Sequence, residues 1–162
     1  VLTSCAGCYS VLKHEYPNLL ETDNSAIAGN LDYITRFIAA RFERGDVPAM
    51  KPVKIRAAYH SPCHLERMGG VLHTIEVLKR IPGLDLVILH SECCGISGTY
   101  GFKKEYYGVA QRIGAELFAR IERAQPEIVI SDCETCKWQI EMSTPYKVLH
   151  PMTVLARAIE SA

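Results

Sequence analysis

The chain has 162 residues, of which 48% are hydrophobic and 22% charged, enough for a domain with a substantial core. Its 18 basic and 18 acidic residues cancel, and this balance gives no support for a nucleic-acid-binding protein. No apolar run approaches the length of a membrane span. The N-terminus, which starts at Val1, carries neither an initiator methionine nor a signal peptide. We therefore expect a piece of a longer protein.

Cysteine is the most informative residue type. The seven cysteines are Cys5, Cys8, Cys63, Cys93, Cys94, Cys133 and Cys136. Their number is odd and the chain has no secretory context, so a disulfide framework is not expected. Reduced cysteines that bind metal in a cytoplasm-like compartment are the favoured interpretation.

The N-terminal segment resembles a later one. Residues 1–17 and 129–145 each contain an apolar pair, a C-x-x-C motif, a helical stretch and a proline nine residues after the second cysteine. We interpret this as an internal repeat. Residues 1–45 would be the C-terminal remnant of a first repeat, 46–52 a linker with two prolines, and 53–162 a complete second repeat.

The first half of the chain is predicted to alternate between strand and helix. A short strand at 18–21 is followed by N-capping residues and an amphipathic helix at 27–44, where apolar residues recur at helical spacing. After the linker come a strand at 53–60 and a helix at 65–80.

The second half continues this alternation. A short apolar strand at 84–90 precedes a glycine-rich loop at 91–104 and a helix at 103–124. A strand at 127–131 leads into a helix opened by the second C-x-x-C motif, and a strand at 146–150 leads into a closing helix at 151–160. The predicted class is α/β, with a mainly parallel sheet and helices on both faces.

Five cysteines fall in three strand-to-helix loops of the predicted second repeat. Cys63 follows the first strand, Cys93 and Cys94 the second, and Cys133 and Cys136 the third. The carboxyl ends of parallel strands lie along one edge of a sheet, where ligands bind. We therefore expect these five thiols to converge, although an isolated cysteine pair in a tight loop is also found as a small buried apolar group.

The donor type limits the metal. Calcium and magnesium prefer oxygen, whereas thiolates select zinc, Cu(I) or iron–sulfur clusters. A closed zinc site takes four ligands, and a cubane cluster also takes four, so a fifth cysteine indicates either an unusual cluster or a bystander. The wide arc of thiols favours iron–sulfur.

Four histidines and the first C-x-x-C motif are further candidates. His60, His64, His90 and His150 end predicted strands or follow them, and each is more often a polar strand-end residue than a ligand. The better functional interpretation for the first three is a place beside the cluster, as for Gly95. Cys5 and Cys8 could form a second metal site whose other ligands lie outside this chain.

The spacing of the cysteines resembles that of a known domain family. The pattern Cys63…Cys93-Cys94-Gly95…Cys133-x-x-Cys136 resembles the cysteine-rich CCG domain. That domain occurs, usually in two copies, in the B subunit of heterodisulfide reductase, glycolate oxidase iron–sulfur subunits, lactate-utilisation proteins and the C subunit of anaerobic glycerol-3-phosphate dehydrogenase. The stretches at 93–105 and 132–143 are especially similar to the last of these.

The resemblance implies two Rossmann-like lobes with a [4Fe-4S] cluster, of non-cubane type in heterodisulfide reductase, at the carboxyl ends of the strands. Its iron ligands by motif position would be Cys63, Cys93, Cys94, Cys133 and Cys136. In glycerol-3-phosphate dehydrogenase the corresponding polypeptide is non-catalytic: it relays electrons in anaerobic respiration from a flavoprotein subunit toward membrane quinone. The implied location is cytoplasmic, at the inner face of the membrane through the complex.

Three other functions stay open. The cluster could itself reduce a disulfide, as in heterodisulfide reductase, or the chain could be a structural zinc domain that binds a partner. A thioredoxin-like role for the C-x-x-C motifs is weaker, because neither has the expected context beyond a position before a helix. We also expect that the chain purified in air can lack its cluster.

Overall fold

A computed structural model describes residues 1–90 and 93–160. Ser91 and Glu92, which open the predicted glycine-rich loop, lie outside the described residues, as do 161–162. The strands of the described part are β1 (Leu2–Thr3), β2 (Asp32–Tyr33), β3 (Arg56–His60), β4 (Asp85–Leu89), β5 (Ile128–Ile130) and β6 (Val148–Leu149). The α-helices are α1 (Ala6–Ser10), α2 (Tyr16–Leu20), α3 (Ser25–Gly29), α4 (Ile34–Glu43), α5 (Cys63–Arg67), α6 (Val71–Lys79), α7 (Tyr107–Ala124), α8 (Glu134–Ser143) and α9 (Pro151–Glu160).

The main sheet has the strand order β4-β3-β5-β6, and all its strands are parallel. The connection from β3 leads outward to β4 on one side, and the chain then crosses over to β5 on the other side of β3. The order therefore reverses between β3 and β5, as in doubly wound folds. The predicted α/β class with a parallel sheet is confirmed.

Helices cover both faces of this sheet because its side chains alternate. Ala57, Tyr59 and Ile130 point into a core formed with α4, α6 and α9. Ala58 and Val129 point the other way, into a core formed with α7 and α8. Both cores consist mainly of buried aliphatic side chains, and their burial supplies the main free energy of folding.

The N-terminal segment forms a second, two-stranded sheet in which β1 and β2 are parallel. Its small core contains Tyr9, Leu31 and Tyr33 together with Leu65 from α5. The chain forms α1, α2 and α3 between β1 and β2, and α8 between β5 and β6; α4 and α9 then follow β2 and β6.

The predicted linker at 46–52 has no regular secondary structure. On its N-terminal side, however, Ala39 and Phe42 of α4 belong to the same core as Ala57 and Tyr59 of β3. The core is therefore continuous across the linker, and the division into repeats stays a prediction from the sequence.

The strand predicted at 18–21 is wrong, because these residues lie in and just after α2. Pro17 stands in the first turn of this helix, where its missing N–H costs nothing. Glu21 ends the helix in the left-handed conformation, with φ 50°.

The single helix predicted at 27–44 is also wrong. Helix α3 ends at Gly29, the chain then extends so that Asp32 and Tyr33 pair with β1, and α4 begins at Ile34. The apolar spacing is helical on both sides of the break, so periodicity did not reveal a strand that depends on a partner distant in sequence.

Two further predicted helices have different bounds. The helix predicted at 65–80 begins at Cys63 and is interrupted at Gly69, whose φ is +67°, and at Gly70, where a Cβ would collide with Leu65. Helix α7 begins at Tyr107 rather than at Lys103, because Lys103 is extended after a short 3-10 turn. The remaining strands and helices agree with prediction to within a few residues. None of the helices in the described part of the chain combines the length and apolar character needed to cross a bilayer.

Candidate metal centre

A cavity of about 300 Å³ lies at the carboxyl ends of the main-sheet strands. The cysteines that line it are Cys5, Cys63, Cys93, Cys94, Cys133 and Cys136. The structure thus brings together the five thiols that the sequence placed in strand-to-helix loops. The cavity sits where the strand order reverses between β3 and β5, the usual ligand position in an open parallel sheet.

The loop after β4 supplies Cys93 and Cys94. Cys94 is buried, whereas Cys93 is exposed at the rim and accepts a hydrogen bond from the Gly95 N–H at 3.4 Å. Gly95 has φ +89°, and a Cβ at this position would overlap the carbonyl oxygen of Ala110 on α7. Glycine is required here because the loop lies directly against this helix.

The second C-x-x-C motif opens α8. Cys133 is the N-cap residue of this helix, and its Sγ accepts a hydrogen bond from the Cys136 N–H at 3.4 Å. The Thr135 hydroxyl lies 3.2 Å from the same sulfur. Cys136 is buried, and its Sγ lies 3.1 Å from Sγ of Cys94, so two loops meet sulfur to sulfur on the inner side of the cavity.

Cys63 lies in the first turn of α5, after β3. It is exposed, and its Sγ lies 3.8 Å from Nδ1 of His64, which also lines the cavity. The proline before it, Pro62, is extended and starts the helix. Cys63 and Cys93 therefore form the outer rim of the site.

The close contacts between the thiols shift their pKa values in opposite directions. Hydrogen bonds from Cys63 and Cys94 lower the pKa of Cys93 to about 2, and those from Cys136 and Thr135 lower the pKa of Cys133 to about 6. The pKa of Cys136 is raised by its contacts with Cys133 and Cys94 and by burial. The contacts therefore favour the thiolate, the form that binds metal, at Cys93 and Cys133 more than at Cys136.

His60 ends β3 and is 1% exposed. Burial lowers the pKa of its imidazole to about 4, so the ring is neutral at physiological pH. Neither Nδ1 nor Nε2 has a hydrogen-bond partner among residues 1–90 and 93–160. A buried polar group without a hydrogen-bond partner lowers the stability of the fold by about 1–3 kcal/mol. The unpaired ring nitrogens of His60 therefore favour a bound group nearby.

The other predicted neighbours of the cluster differ in position. His64 and Gly95 lie at the site, whereas His90 is exposed at the end of β4 and is absent from the described lining of the cavity. His150 contacts the first segment instead, with Nε2 at 2.9 Å from the Ser4 carbonyl oxygen.

The first C-x-x-C motif repeats the local geometry of the second. Cys5 is the N-cap of α1, and its Sγ accepts a hydrogen bond from the Cys8 N–H at 3.2 Å. The sequence suggested a separate site for this pair, but Cys5 lies in the wall of the cavity that holds the other five thiols. Cys8 is exposed and is not part of the described lining.

Sequence reasoning missed a buried carboxylate next to the site. Asp132 precedes Cys133 and is 1% exposed. Its Oδ1 lies 3.1 Å from both the Tyr33 hydroxyl and the Thr74 hydroxyl, and its Oδ2 accepts from the Tyr59 hydroxyl at 2.7 Å. Burial raises the pKa of Asp132, and these hydroxyl donors oppose the shift. The available signal was an acidic residue directly after an apolar strand.

The residues fit a soft metal or cluster. Six cysteines line a single cavity, and the ligand atoms of Cys94, Cys136 and the buried His60 lie within 4.8 Å of one another. Thiolate and imidazole are ligands of zinc, copper and iron–sulfur centres. More donors converge here than the four that a closed zinc site uses, which favours a centre with several metal atoms.

Comparisons with known proteins identify relatives of this chain. The chain is 46% identical over 159 residues to the C subunit of anaerobic glycerol-3-phosphate dehydrogenase from Escherichia coli (strain K12), covering 98% of this chain and 40% of that protein. It is 34% identical over 158 residues to the B subunit of fumarate reductase (CoM/CoB) from Methanothermobacter marburgensis, covering 96% of this chain and 30% of that protein. An uncharacterized iron–sulfur protein of Methanocaldococcus jannaschii is 31% identical over 144 residues, which are 88% of this chain and 27% of that protein.

The chain thus spans less than half the length of each of these relatives. Its residues 57–141 match the cysteine-rich (CCG) domain, and this range contains the five cysteines that the sequence grouped together. The family and the thiol donors together support an iron–sulfur cluster as the bound group. The resemblance seen in the sequence is confirmed: the chain belongs to the cysteine-rich CCG domain family.

Proposed function

We propose that this chain is an iron–sulfur electron-transfer module of a respiratory dehydrogenase, similar in role to the C subunit of anaerobic glycerol-3-phosphate dehydrogenase. The observation that best supports this proposal is that five cysteines from three strand-end loops line one cavity of about 300 Å³. The 46% identity to that protein over 98% of the chain supports the choice of complex.

The proposed group is a [4Fe-4S] cluster, and it accepts and passes on single electrons when bound. Its proposed ligands are Cys63, Cys93, Cys94, Cys133 and Cys136. Five thiols exceed the four that a cubane needs, which favours the non-cubane type found in heterodisulfide reductase. The burial of Cys94 and Cys136 supports a shielded inner side, and the exposure of Cys63 and Cys93 supports an outer edge close to a redox partner.

The protein's own part in this function is to hold the donors before the metal arrives. Gly95 lets the loop of Cys93 and Cys94 approach α7, and helix α8 directs the Cys136 N–H at the Cys133 sulfur. Asp132 ties the loop before Cys133 to the side chains of Tyr59 and Thr74. Such fixed donors reduce the reorganisation that accompanies a change in charge.

We also propose the partners and the location. The relatives in E. coli and M. marburgensis are named as subunits, which supports partner subunits for this chain. A flavoprotein dehydrogenase would be the electron donor and membrane quinone the final acceptor. The module would then be cytoplasmic and held at the inner face of the membrane through the complex. In this proposal residues 1–45 are the end of a first repeat and 53–162 the second.

The test is metal and sulfide analysis of anaerobically purified chain, combined with electron paramagnetic resonance of its oxidised and reduced forms. About four irons per chain with matching sulfide and a signal are expected. Stoichiometric zinc without iron would contradict the electron-transfer function and favour a structural zinc domain.

A second candidate is reduction of a disulfide at the cluster. It is favoured by the exposure of Cys63 and Cys93 at the cavity rim and by a Methanosarcina barkeri relative, 31% identical over 143 residues, that is named as the D subunit of a CoB–CoM heterodisulfide reductase. The reaction converts one disulfide to two thiols and consumes two electrons and two protons. Thiol release from a small disulfide by the chemically reduced chain would support this candidate, and electron transfer to a dye without thiol release would exclude it.

A further inference from the structure

His60 is placed where a polar side chain needs a partner. It ends the central strand β3, next to Leu89 of β4, and its side chain is 1% exposed. Neither ring nitrogen has a hydrogen-bond partner in the described part of the chain. The buried core on this face of the sheet includes the apolar side chains of Ala58, Leu89 and Ile140 together with Cys94 and Cys136.

The imidazole faces the inner thiols of the cavity. One ring nitrogen and the sulfur atoms of Cys94 and Cys136 all lie within 4.8 Å of one another, and all three residues are buried. Metal bonds of about 2.0–2.3 Å in a tetrahedral arrangement hold such donors roughly 3.5–3.8 Å apart. The three atoms therefore need only small adjustments to bind one ion.

We propose that His60 is a direct ligand of the cluster, and not only a neighbour of it, binding an iron atom together with Cys94 and Cys136. This inference rests on the proposed iron–sulfur function. It makes the inner side of the centre a mixed imidazole and thiolate site, while Cys63 and Cys93 bind at the solvent-facing rim. A neutral imidazole in place of a thiolate lowers the negative charge of the centre and raises its reduction potential.

The test uses chain labelled with ¹⁵N-histidine, prepared anaerobically, and hyperfine spectroscopy of whichever oxidation state is paramagnetic. We expect a strong ¹⁵N coupling in the unchanged chain that His60→Gln abolishes. His64→Gln and His90→Gln are the matched controls. His64 lines the cavity but is only half-buried, and His90 is exposed. Both should retain the coupling.

The outcomes separate this inference from the function on which it rests. Iron and sulfide at the expected content without a strong ¹⁵N coupling would overturn the ligand assignment and leave the cluster in place. Loss of the coupling in His64→Gln instead would also overturn it. Chain without iron would overturn both proposals.

A second variant covers the case in which His60→Gln does not retain iron. His60→Ala creates space for free imidazole, which is added as the ¹⁵N-labelled compound during anaerobic reconstitution. Return of iron together with the ¹⁵N coupling would support direct ligation. Return of iron without the coupling, or no return at all, would contradict it.

Discussion

The two C-x-x-C motifs are locally alike and differ in what surrounds them. In each, the first cysteine caps a helix and accepts a hydrogen bond from the N–H of the second, at 3.2 Å for the pair starting at Cys5 and at 3.4 Å for the pair starting at Cys133. Yet Cys136 is buried against Cys94, whereas Cys8 is exposed. The motif determines the local turn, and the sheet determines whether further thiols lie against it.

The residue before each motif extends this contrast. Asp132 lies before Cys133 and has a buried carboxylate with three hydroxyl neighbours. Ser4 lies before Cys5, is exposed, and contributes its backbone carbonyl to His150 and Tyr33. Tyr33 contacts both residues, so its side chain connects the N-terminal segment to the end of β5 in the main sheet.

The largest expected difference between the motifs is in metal binding. Cys136→Ser should remove most of the iron, because it takes away a buried thiol that lies 3.1 Å from Cys94. Cys8→Ser should leave iron content unchanged, since Cys8 is outside the described lining of the cavity. Iron and sulfide analysis of the anaerobic variants measures both, and equal losses would show that the two motifs contribute alike.

The next largest effect is expected in the loop after β4, which places Cys94 against Cys136 of the second C-x-x-C motif. Gly95→Ala should lower the free energy of unfolding by roughly 2–4 kcal/mol, because a Cβ would overlap the Ala110 carbonyl and φ is +89°. Gly98→Ala is the control: φ is +65° there but no atom lies within 4 Å, so about 1–2 kcal/mol is expected. Urea unfolding compares them, and equal losses would refute the close-packing argument.

A smaller effect is expected at the residues that precede the motifs. Asp132→Asn should cost about 1.5–3 kcal/mol, because an amide donor would replace a carboxylate oxygen that faces hydroxyl donors. Ser4→Ala should change stability by less than about 0.5 kcal/mol, since the Ser4 contacts use its backbone carbonyl. Thermal unfolding distinguishes the two, and a neutral Asp132→Asn would mean that the carboxylate is already protonated.

The smallest perturbation leaves the sequence intact and compares thiol reactivity in the reduced, metal-free chain. Cys133 has a pKa of about 6 and is mostly thiolate at pH 7, whereas the contact with Cys5 raises the pKa of Cys8 above its ordinary value. Alkylation at pH 7 should therefore favour Cys133, although Cys8 is the more exposed. Raising the pH to about 9 should narrow the difference, because thiolate is the reactive form. Mass spectrometry of the labelled peptides measures both rates, and faster labelling of Cys8 at pH 7 would contradict the shift.

Much of the site could be predicted from the sequence because it follows from chain order. Cys63, Cys93, Cys94, Cys133 and Cys136 each follow an apolar strand, and parallel strands present such positions at one edge. The place of Cys5 could not be predicted in this way, because β1 belongs to a separate two-stranded sheet. The contacts of Asp132 likewise come from Tyr33 and Thr74, which are distant in sequence.

The errors in the fold have a similar origin. Apolar periodicity runs through 27–44 and 65–80, and it gives no sign of the strand at Asp32–Tyr33 or of the glycine break after α5. Short strands depend on a partner strand more than on their own residues. Strand β2 exists because β1 pairs with it.

By itself, the sequence determined the α/β class, the C-x-x-C turns and the identity of the soft donors, because periodicity, helix capping and thiol chemistry are local properties. The tertiary structure alone decided the strand order β4-β3-β5-β6, the entry of Cys5 into the cavity and the burial of His60 beside Cys94 and Cys136. These features depend on which surfaces pack together. That choice minimises the free energy of the whole core, and no single segment carries it.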